Sequence, residues 1–443
     1  MIRAVLDYVR LKHHRKRFSQ KRLHRYQWRA LKKLLGHAEK HSPFYQKRFE
    51  GKTVESFEDF HKLPSIDKTA MMENFTTLNT HGLVKEDVMA YAVDKEKNKD
   101  YLGYYQDKFV VGLSSGTSGN KGLFLTPKSL TKRLPGVFLA RGGISLRDLP
   151  LRILFMLRVF SQGFDDINAP LLKLKYLSTM TPVETIVETV KTQSTNLLMA
   201  PPSLLRFLLP HKNELAGRFK KVITYAEVLT AEEKARFEQA FDCAVVEIYQ
   251  ASEGQIASPC EKGNLHINED LVYLELYDRD GNPVTTPGVV GHKMVLTNLV
   301  NTAQPLIRYE MNDMVVLDEP CSCKSAFRTV RHILGRHDDI LYFLDQEGNP
   351  KPVYPDLFAR WVITESDAIR EFQAVQKRPG ETTVLVDLLE DFDTERLKRR
   401  IEEELDAFGL HGEITIEKKA IELPKDKNKY KRFVSFVESE ENS

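Results

Sequence analysis

A chain of 443 residues, 42% of them hydrophobic, can bury a full core and divide into more than one domain. Its formal charge of +3 gives no ground for a nucleic-acid partner, no apolar run approaches a bilayer span, and Asp7 and Arg10 interrupt Ala4, Val5, Leu6 and Val9 where a signal-peptide core would stand. Four cysteines are too few for a disulfide scaffold, so a reducing, cytoplasmic setting is expected.

The small net charge conceals an asymmetry: the first 33 residues hold twelve Lys or Arg against one acid, Asp7. Leu23, Tyr26, Ala30, Leu31, Leu34, Leu35 and Ala38 recur there at helical spacing. Residues 1–50 are therefore expected to form a basic helical arm packed on the body, its cations able to meet an anionic membrane surface or nucleic acid, though a simply solvated helix face is the commoner case. Strand-like 109–111 and 123–125 flank a glycine-rich loop. Strand-like and helical runs then alternate over 151–159, 182–191, 197–200, 202–208, 222–225, 231–241 and 245–249, the pattern of strands covered by helices. From 272 the texture changes: 272–277, a turn at 278–282, 295–297 and 314–317 read as consecutive strands, with Pro283 and Pro287 between them, and suggest a small barrel-like β-subdomain. Beyond 335–339 come a hairpin tip at 345–349, a strand at 383–388, a helix capped by Asp393 with Leu397, Ile401, Leu405 and Phe408 turned inward, and a strand at 413–417. The expected class is α/β: a large N-terminal domain of helix-covered sheets over 1–334, a hinge at 335–339, and a small mobile α+β lid over 340–443.

The segment Ser114-Ser115-Gly116-Thr117-Ser118-Gly119-Asn120-Lys121-Gly122 combines glycines that admit close backbone approach with four hydroxyl side chains, a composition suited to phosphate oxygens. Its spacing is not that of the common phosphate loop, and a plain surface turn is the competing reading. Four further segments follow in order: Tyr249-Gln250-Ala251-Ser252-Glu253-Gly254, Arg308-Tyr309-Glu310-Met311-Asn312-Asp313, Gly335-Arg336-His337-Asp338-Asp339 and Pro424-Lys425-Asp426-Lys427-Asn428-Lys429. Together they resemble the ordered motifs of the adenylate-forming superfamily of acyl-CoA ligases and adenylation domains. The early Ser42-Pro43-Phe44-Tyr45 and Leu63-Pro64-Ser65-Ile66-Asp67-Lys68 resemble signposts of its phenylacetate-CoA ligase branch, which includes deazaflavin-coenzyme adenylating synthetases and capsule-locus relatives.

The resemblance implies an ATP- and magnesium-dependent ligase that turns a carboxylic acid into an acyl-adenylate, releases pyrophosphate, and passes the acyl group to a thiol such as coenzyme A or to an amine. Positioning and charge neutralisation supply most of the acceleration in such a reaction. On this reading Ser114, Ser115, Gly116, Thr117, Ser118 and Gly119 grip the phosphates, and Glu253 holds magnesium. Tyr249, with Gln250 and Ser252 in the same element, lies on adenine, and Tyr225-Ala226-Glu227 walls the purine, Tyr225 standing where the family has glycine. Asp313 takes the ribose hydroxyls, Arg336 reaches ribose or phosphate, Asp338 is the hinge, and Lys429 meets the α-phosphate and the carboxylate. Asn428 replaces a glycine before that lysine, and the surrounding basic run has a solvated edge as its bland reading. Phe155, Phe160, Phe164, Met199 and Tyr225 are candidate walls of the acyl pocket or, equally, core.

Cys260, His266, Cys321 and Cys323 offer three thiolates and one imidazole, a full tetrahedral zinc set of the closed, structural kind. Buried free cysteines are the alternative, and the remaining Cys243 is expected in the core. Relatives in the phenylacetate-CoA ligase branch carry a similar arrangement. Two other functions stay open: a nucleotidyltransferase leaving AMP on a phenol or phosphate, and a non-catalytic nucleotide-binding protein held at a membrane by the basic arm.

Overall fold

The structure, a computed structural model, describes residues 2–98, 102–113, 121–157, 162–421 and 431–437. Helices Ile2–Arg17, Gln20–His41 and Pro43–Phe49 open the chain. Ser19 caps the second by accepting from the Arg22 amide, and Ser42 caps the third ahead of Pro43, so each break coincides with a hydroxyl that satisfies the orphan amides of the next helix. Leu31, Leu34, Leu35 and Ala38 sink into one core with Tyr45, Phe49 and strand residues Leu274, Leu296 and Tyr309, as the helical spacing predicts. The arm's charge is less solvated than its composition suggests. His14 and Arg15 are buried: His14 Nδ1 lies 2.9 Å from Asp270 Oδ2, and Arg15 donates to the Pro259 carbonyl at 2.8 Å and to Asn268 Oδ1 at 2.9 Å.

Strands Leu172–Leu177, Leu151–Met156, Leu197–Met199, Lys221–Thr224 and Ala244–Glu247 lie side by side in that order, all parallel. Helices Val183–Thr192, Pro202–Leu208 and Ala231–Phe241 cover them. Central strands read as continuous apolar runs because both faces are buried. The edge strand Leu172–Leu177 alternates Leu with Lys and is only partly buried, which is why no apolar run announced it. Strand 245–249 of the sequence reading divides in two: Ala244–Glu247 ends in the parallel sheet, while Tyr249 starts Tyr249–Ala251 in another, opposite Ala257. No glycine or proline marks that change of partner.

A six-stranded sheet (Val290–Gly291, Asp313–Asp318, Thr329–Arg336, Leu265–Ile267, Gly254–Pro259, Tyr249–Ala251) and a three-stranded one (Val272–Tyr277, Lys293–Asn298, Tyr309–Met311) form the β-rich middle. Residues past 340 build the hairpin Leu341–Leu344 and Pro350–Val353, then a four-stranded sheet in the order Glu413–Lys418, Glu381–Leu388, Ile369–Arg378, Phe433–Ser435. Helices Pro355–Ile363 and Thr394–Ala407 pack on it around a separate core that includes Phe343, Phe358, Phe372, Leu397, Ile401 and Leu405. Phe408 does not join them: it is 58% exposed, because it caps the helix past its last full turn and meets only the edge of the core, its ring 6.1 Å from Trp361. Cys243 is half-buried against the parallel-sheet core. Among the described residues no helix is long and apolar enough to cross a membrane.

The C-terminal unit rests on the body through a buried charge cluster. Arg206 bonds Glu233 and, across the junction, Glu371, while Arg432 donates to Glu371 Oε1 at 2.8 and 3.0 Å. Arg370 stacks over Phe207 at 4.6 Å beside it.

Candidate functional site

In open α/β sheets ligands collect outside the carboxyl ends of the strands, and the residues singled out in the sequence lie there or on the neighbouring β-layer. Tyr249 donates its hydroxyl to Asp313 Oδ2 at 2.8 Å. Asp313 opens its strand directly opposite Arg336, whose Nε stands 3.5 Å from Asp313 Oδ1. Glu253 sits in the turn between Tyr249–Ala251 and Gly254–Pro259, and its carbonyl accepts from Asn298 Nδ2 at 2.8 Å. A Cβ on Gly254 would stand 3.3 Å from Asn298 and Val272, so glycine there lets the turn seat closely. Gln250 and Ser252, on the same hairpin, are exposed.

Burial pushes the Glu253 carboxyl up, the charge on Asp313 adds to the rise, and Arg336 and Lys68 oppose it. A raised carboxyl beside a second carboxylate is a place that a cation stabilises, so these residues fit a magnesium ion. Asp338 Oδ2 accepts from Asn312 Nδ2 at 3.4 Å, and Asp339 is pushed up to about 6 by burial against the pull of Arg336 and Lys431. Lys431, whose carbonyl accepts from Gln373 Nε2 at 2.8 Å, and the strand Phe433–Ser435 that follows it lie beside 337–339. Gly335 has φ +105°, and a Cβ there would meet Pro355 at 2.9 Å, so this position requires glycine. Ser114, Ser115, Gly116, Thr117, Ser118, Gly119, Phe160 and Lys429 lie outside the described residues.

Tyr225 follows the strand Lys221–Thr224, its hydroxyl bonded to the Met156 carbonyl, and its ring is 5.4 Å from Phe155, itself 4.9 Å from Phe164. With Met199 they form one apolar cluster at the strand ends. Ala226 is left-handed at φ +69°. Glu227 accepts from the Ser203 amide at 2.8 Å and hydroxyl at 2.6 Å, and lies 3.9 Å from Arg206. Arg308, adjacent to Tyr309, is turned away: its guanidinium binds Glu275 and the carbonyls of His61 and Leu63, bracing the N-terminal segment. Lys68 and Asn298 were not assigned roles from sequence. Lys68 reaches the site because Ile66 pairs backbone-to-backbone with Arg308 and Glu310, a long-range contact with no local signature.

The four ligand atoms of Cys260, His266, Cys321 and Cys323 lie within 4.8 Å of one another. Cys260 and Cys321 sulfurs are 3.9 Å apart, and Cys323 Sγ is 3.4 Å from His266 Nε2. Zn–S bonds of about 2.3 Å in a tetrahedron put sulfurs about 3.8 Å apart, so the set fits zinc. His266 Nδ1 bonds the Phe327 carbonyl at 2.8 Å, which turns Nε2 inward, and Asn264 Nδ2 donates to Cys321 Sγ at 3.1 Å.

No family model matches the chain. In sequence it is 27% identical over 205 residues to Protein CapK of Staphylococcus aureus, covering 46% of this chain and 43% of that protein, under half its length. It is 26% identical over 350 residues to phenylacetate-coenzyme A ligase of Aromatoleum evansii, covering 73% and 72%. In fold it overlays 2-hydroxyisobutyryl-CoA ligase in the postadenylation state with R3-HIB-AMP at a TM-score of 0.71, with 17% identity, covering 97% of this chain and 92% of that one. The same ligase in the thioesterification state, with 2-HIB-AMP and CoA, overlays at 0.59 with 18% identity and coverage of 96% and 91%. The relatives in sequence are CapK and a phenylacetate-coenzyme A ligase, and the neighbours in fold include acyl-CoA ligases, in agreement with the superfamily and branch that the motifs resemble.

Proposed function

We propose that this chain is an ATP- and magnesium-dependent ligase that adenylates a carboxylic acid, expels pyrophosphate, and passes the acyl group to a thiol such as coenzyme A or to an amine. The observation that carries it is the convergence of Tyr249, Glu253, Asp313 and Arg336 on one edge of the β-layer, with Asp339 and Lys431 close to Arg336. Magnesium bound at Glu253 would supply charge neutralisation at the phosphates. Asp313, its second oxygen held by Tyr249 and its first beside Arg336, is oriented to accept from ribose hydroxyls. The apolar cluster of Phe155, Phe164, Met199 and Tyr225 shields the acyl side from water. Residues 335–339 act as the hinge of a lid over 340–443. The larger overlap with the postadenylation state than with the thioesterification state supports reading this arrangement as the one that belongs to the adenylation half of the reaction.

The test is carboxylate-dependent exchange of labelled pyrophosphate into ATP, with mass spectrometry of products from mixed carboxylic acids with and without coenzyme A. Lys429→Ala should abolish exchange while ATP binding survives. Exchange at the parent rate would remove the lysine assignment, and AMP retained covalently on product would point instead to nucleotidyl transfer. The cysteine cluster holds a structural zinc on this reading, so protein purified without metal-affinity tags should contain about one zinc per chain. A folded, active preparation free of zinc would exclude it.

A further inference from the structure

The first helix, Ile2–Arg17, is built inside out. Asp7, Leu11, His14 and Arg15 fall on one face by their spacing and are all buried, so three of these four inward side chains are polar or charged. On the opposite side Val5, Leu6 and Val9 are 56%, 64% and 56% exposed. An ordinary surface helix has the reverse pattern, with its apolar stripe inward and its charges in water. The inward charges are compensated within the fold: Arg133 grips Asp7 at 2.8 and 3.0 Å, and His14 meets Asp270. The outward aliphatics have no such return from folding.

The outer face continues with exposed Arg10, His13, Lys16 and Arg17, of which Lys16 also reaches Glu261 at 2.6 Å. Six more exposed Lys or Arg follow between 21 and 33 on the next helix. Over residues 4–33 no acidic side chain is exposed, because Asp7 is buried. We propose that this helix docks on an anionic lipid surface, with Val5, Leu6 and Val9 entering the boundary between headgroups and acyl chains and the following cations meeting lipid phosphates. Three neighbouring aliphatics have no counterpart on a nucleic-acid backbone, and a second copy of the chain would bring cations against cations. A lipid leaflet satisfies both halves of the face at once. The buried ion pairs hold the helix rigidly on the body, so the surface is preformed and loses little freedom on docking. The inference stands apart from the ligase reading, since none of these residues belongs to the site.

Flotation of the full chain with vesicles of phosphatidylcholine alone, and of phosphatidylcholine mixed with phosphatidylglycerol, tests it. Recovery is expected with the mixed vesicles and should fall steeply as salt rises. Leu6→Glu with Val9→Glu should lower the partition about tenfold or more, and Arg17→Glu with Arg22→Glu by a similar factor. Thermal unfolding of both variants should match the parent, because all four positions are exposed. Equal recovery with neutral and mixed vesicles would overturn the proposal, as would binding unaffected by Leu6→Glu and Val9→Glu, or equal affinity for a DNA duplex. A dimer that those two substitutions dissolve would make the patch a subunit interface instead.

Discussion

Two buried charge clusters hold peripheral elements to the body, and they are composed differently. At the arm, the partners of His14 and Arg15, namely Asp270, Asn268 and the Pro259 carbonyl, all belong to the body. Burial, then the nearby Arg141, push Arg15 down to about 9, so this cation tolerates its site only through those partners. At the C-terminal unit, each side is matched: Arg206 with Glu233 in the body, Arg432 with Glu371 beyond the junction. Pulling the arm away exchanges those bonds for water on both sides, whereas separating the second junction leaves a closed ion pair on either side, so less is lost there. The first attachment is therefore the costlier of the two to break.

The largest break in that comparison is Arg141→Met. Arg141 Nη2 donates to both Asp270 oxygens at 2.7 Å, so its loss leaves a fully buried carboxylate with His14 alone. Urea unfolding should show a loss of about 3–5 kcal/mol. Glu371→Gln should cost less, about 1–3 kcal/mol, because Arg206 keeps Glu233. Proteolysis at the connection 335–339 should quicken at the same time. Equal costs for the Arg141 and Glu371 variants would erase the distinction.

Acid separates the clusters from the rest of the molecule. Burial alone would raise both acids, but Arg141 and His14 at Asp270, and Arg206 and Arg432 at Glu371, outweigh it and hold each below its ordinary value of 3.8 or 4.5. The native state then binds fewer protons than the unfolded chain in that window, so this stabilisation is whole above about pH 5 and is lost as pH falls through the folded values. The Glu371→Gln variant should therefore lose less stability than the parent on acidification, read from unfolding midpoints. The smallest effect belongs to the rim pair of Arg236 and Asp367 at 3.2 Å, whose acid is exposed: Asp367→Asn should change stability by no more than about 1 kcal/mol.

Periodicity and capping chemistry are local, and the elements that depend on them were legible. The helix Ala231–Phe241 follows from Thr230 and Glu233, which close a capping box, and from Phe237 and Phe241 on its inner face. The hairpin flanking the glycine-rich loop and the strand Val272–Tyr277 follow from their apolar runs. The four zinc-type ligands could be named from residue type, since no other cysteines compete except Cys243. What sequence left open is whatever depends on partners far along the chain. Tyr249 belongs to a different sheet from the strand before it because Ala257, not a local signal, pairs with it. Phe408 stays outside because the core it would enter is already closed by Leu405 and Leu410. Arg308 braces rather than faces the site because Glu275 and two carbonyls surround its guanidinium. Lys68 stands near Glu253 only through the bridge from Ile66 to Tyr309. The same limit governs charge: twelve cations in the first 33 residues were countable, yet which of them face water and which are buried against Asp270 and Pro259 was decided by the packing of the first helix, because a side chain's exposure is a property of its neighbours in space.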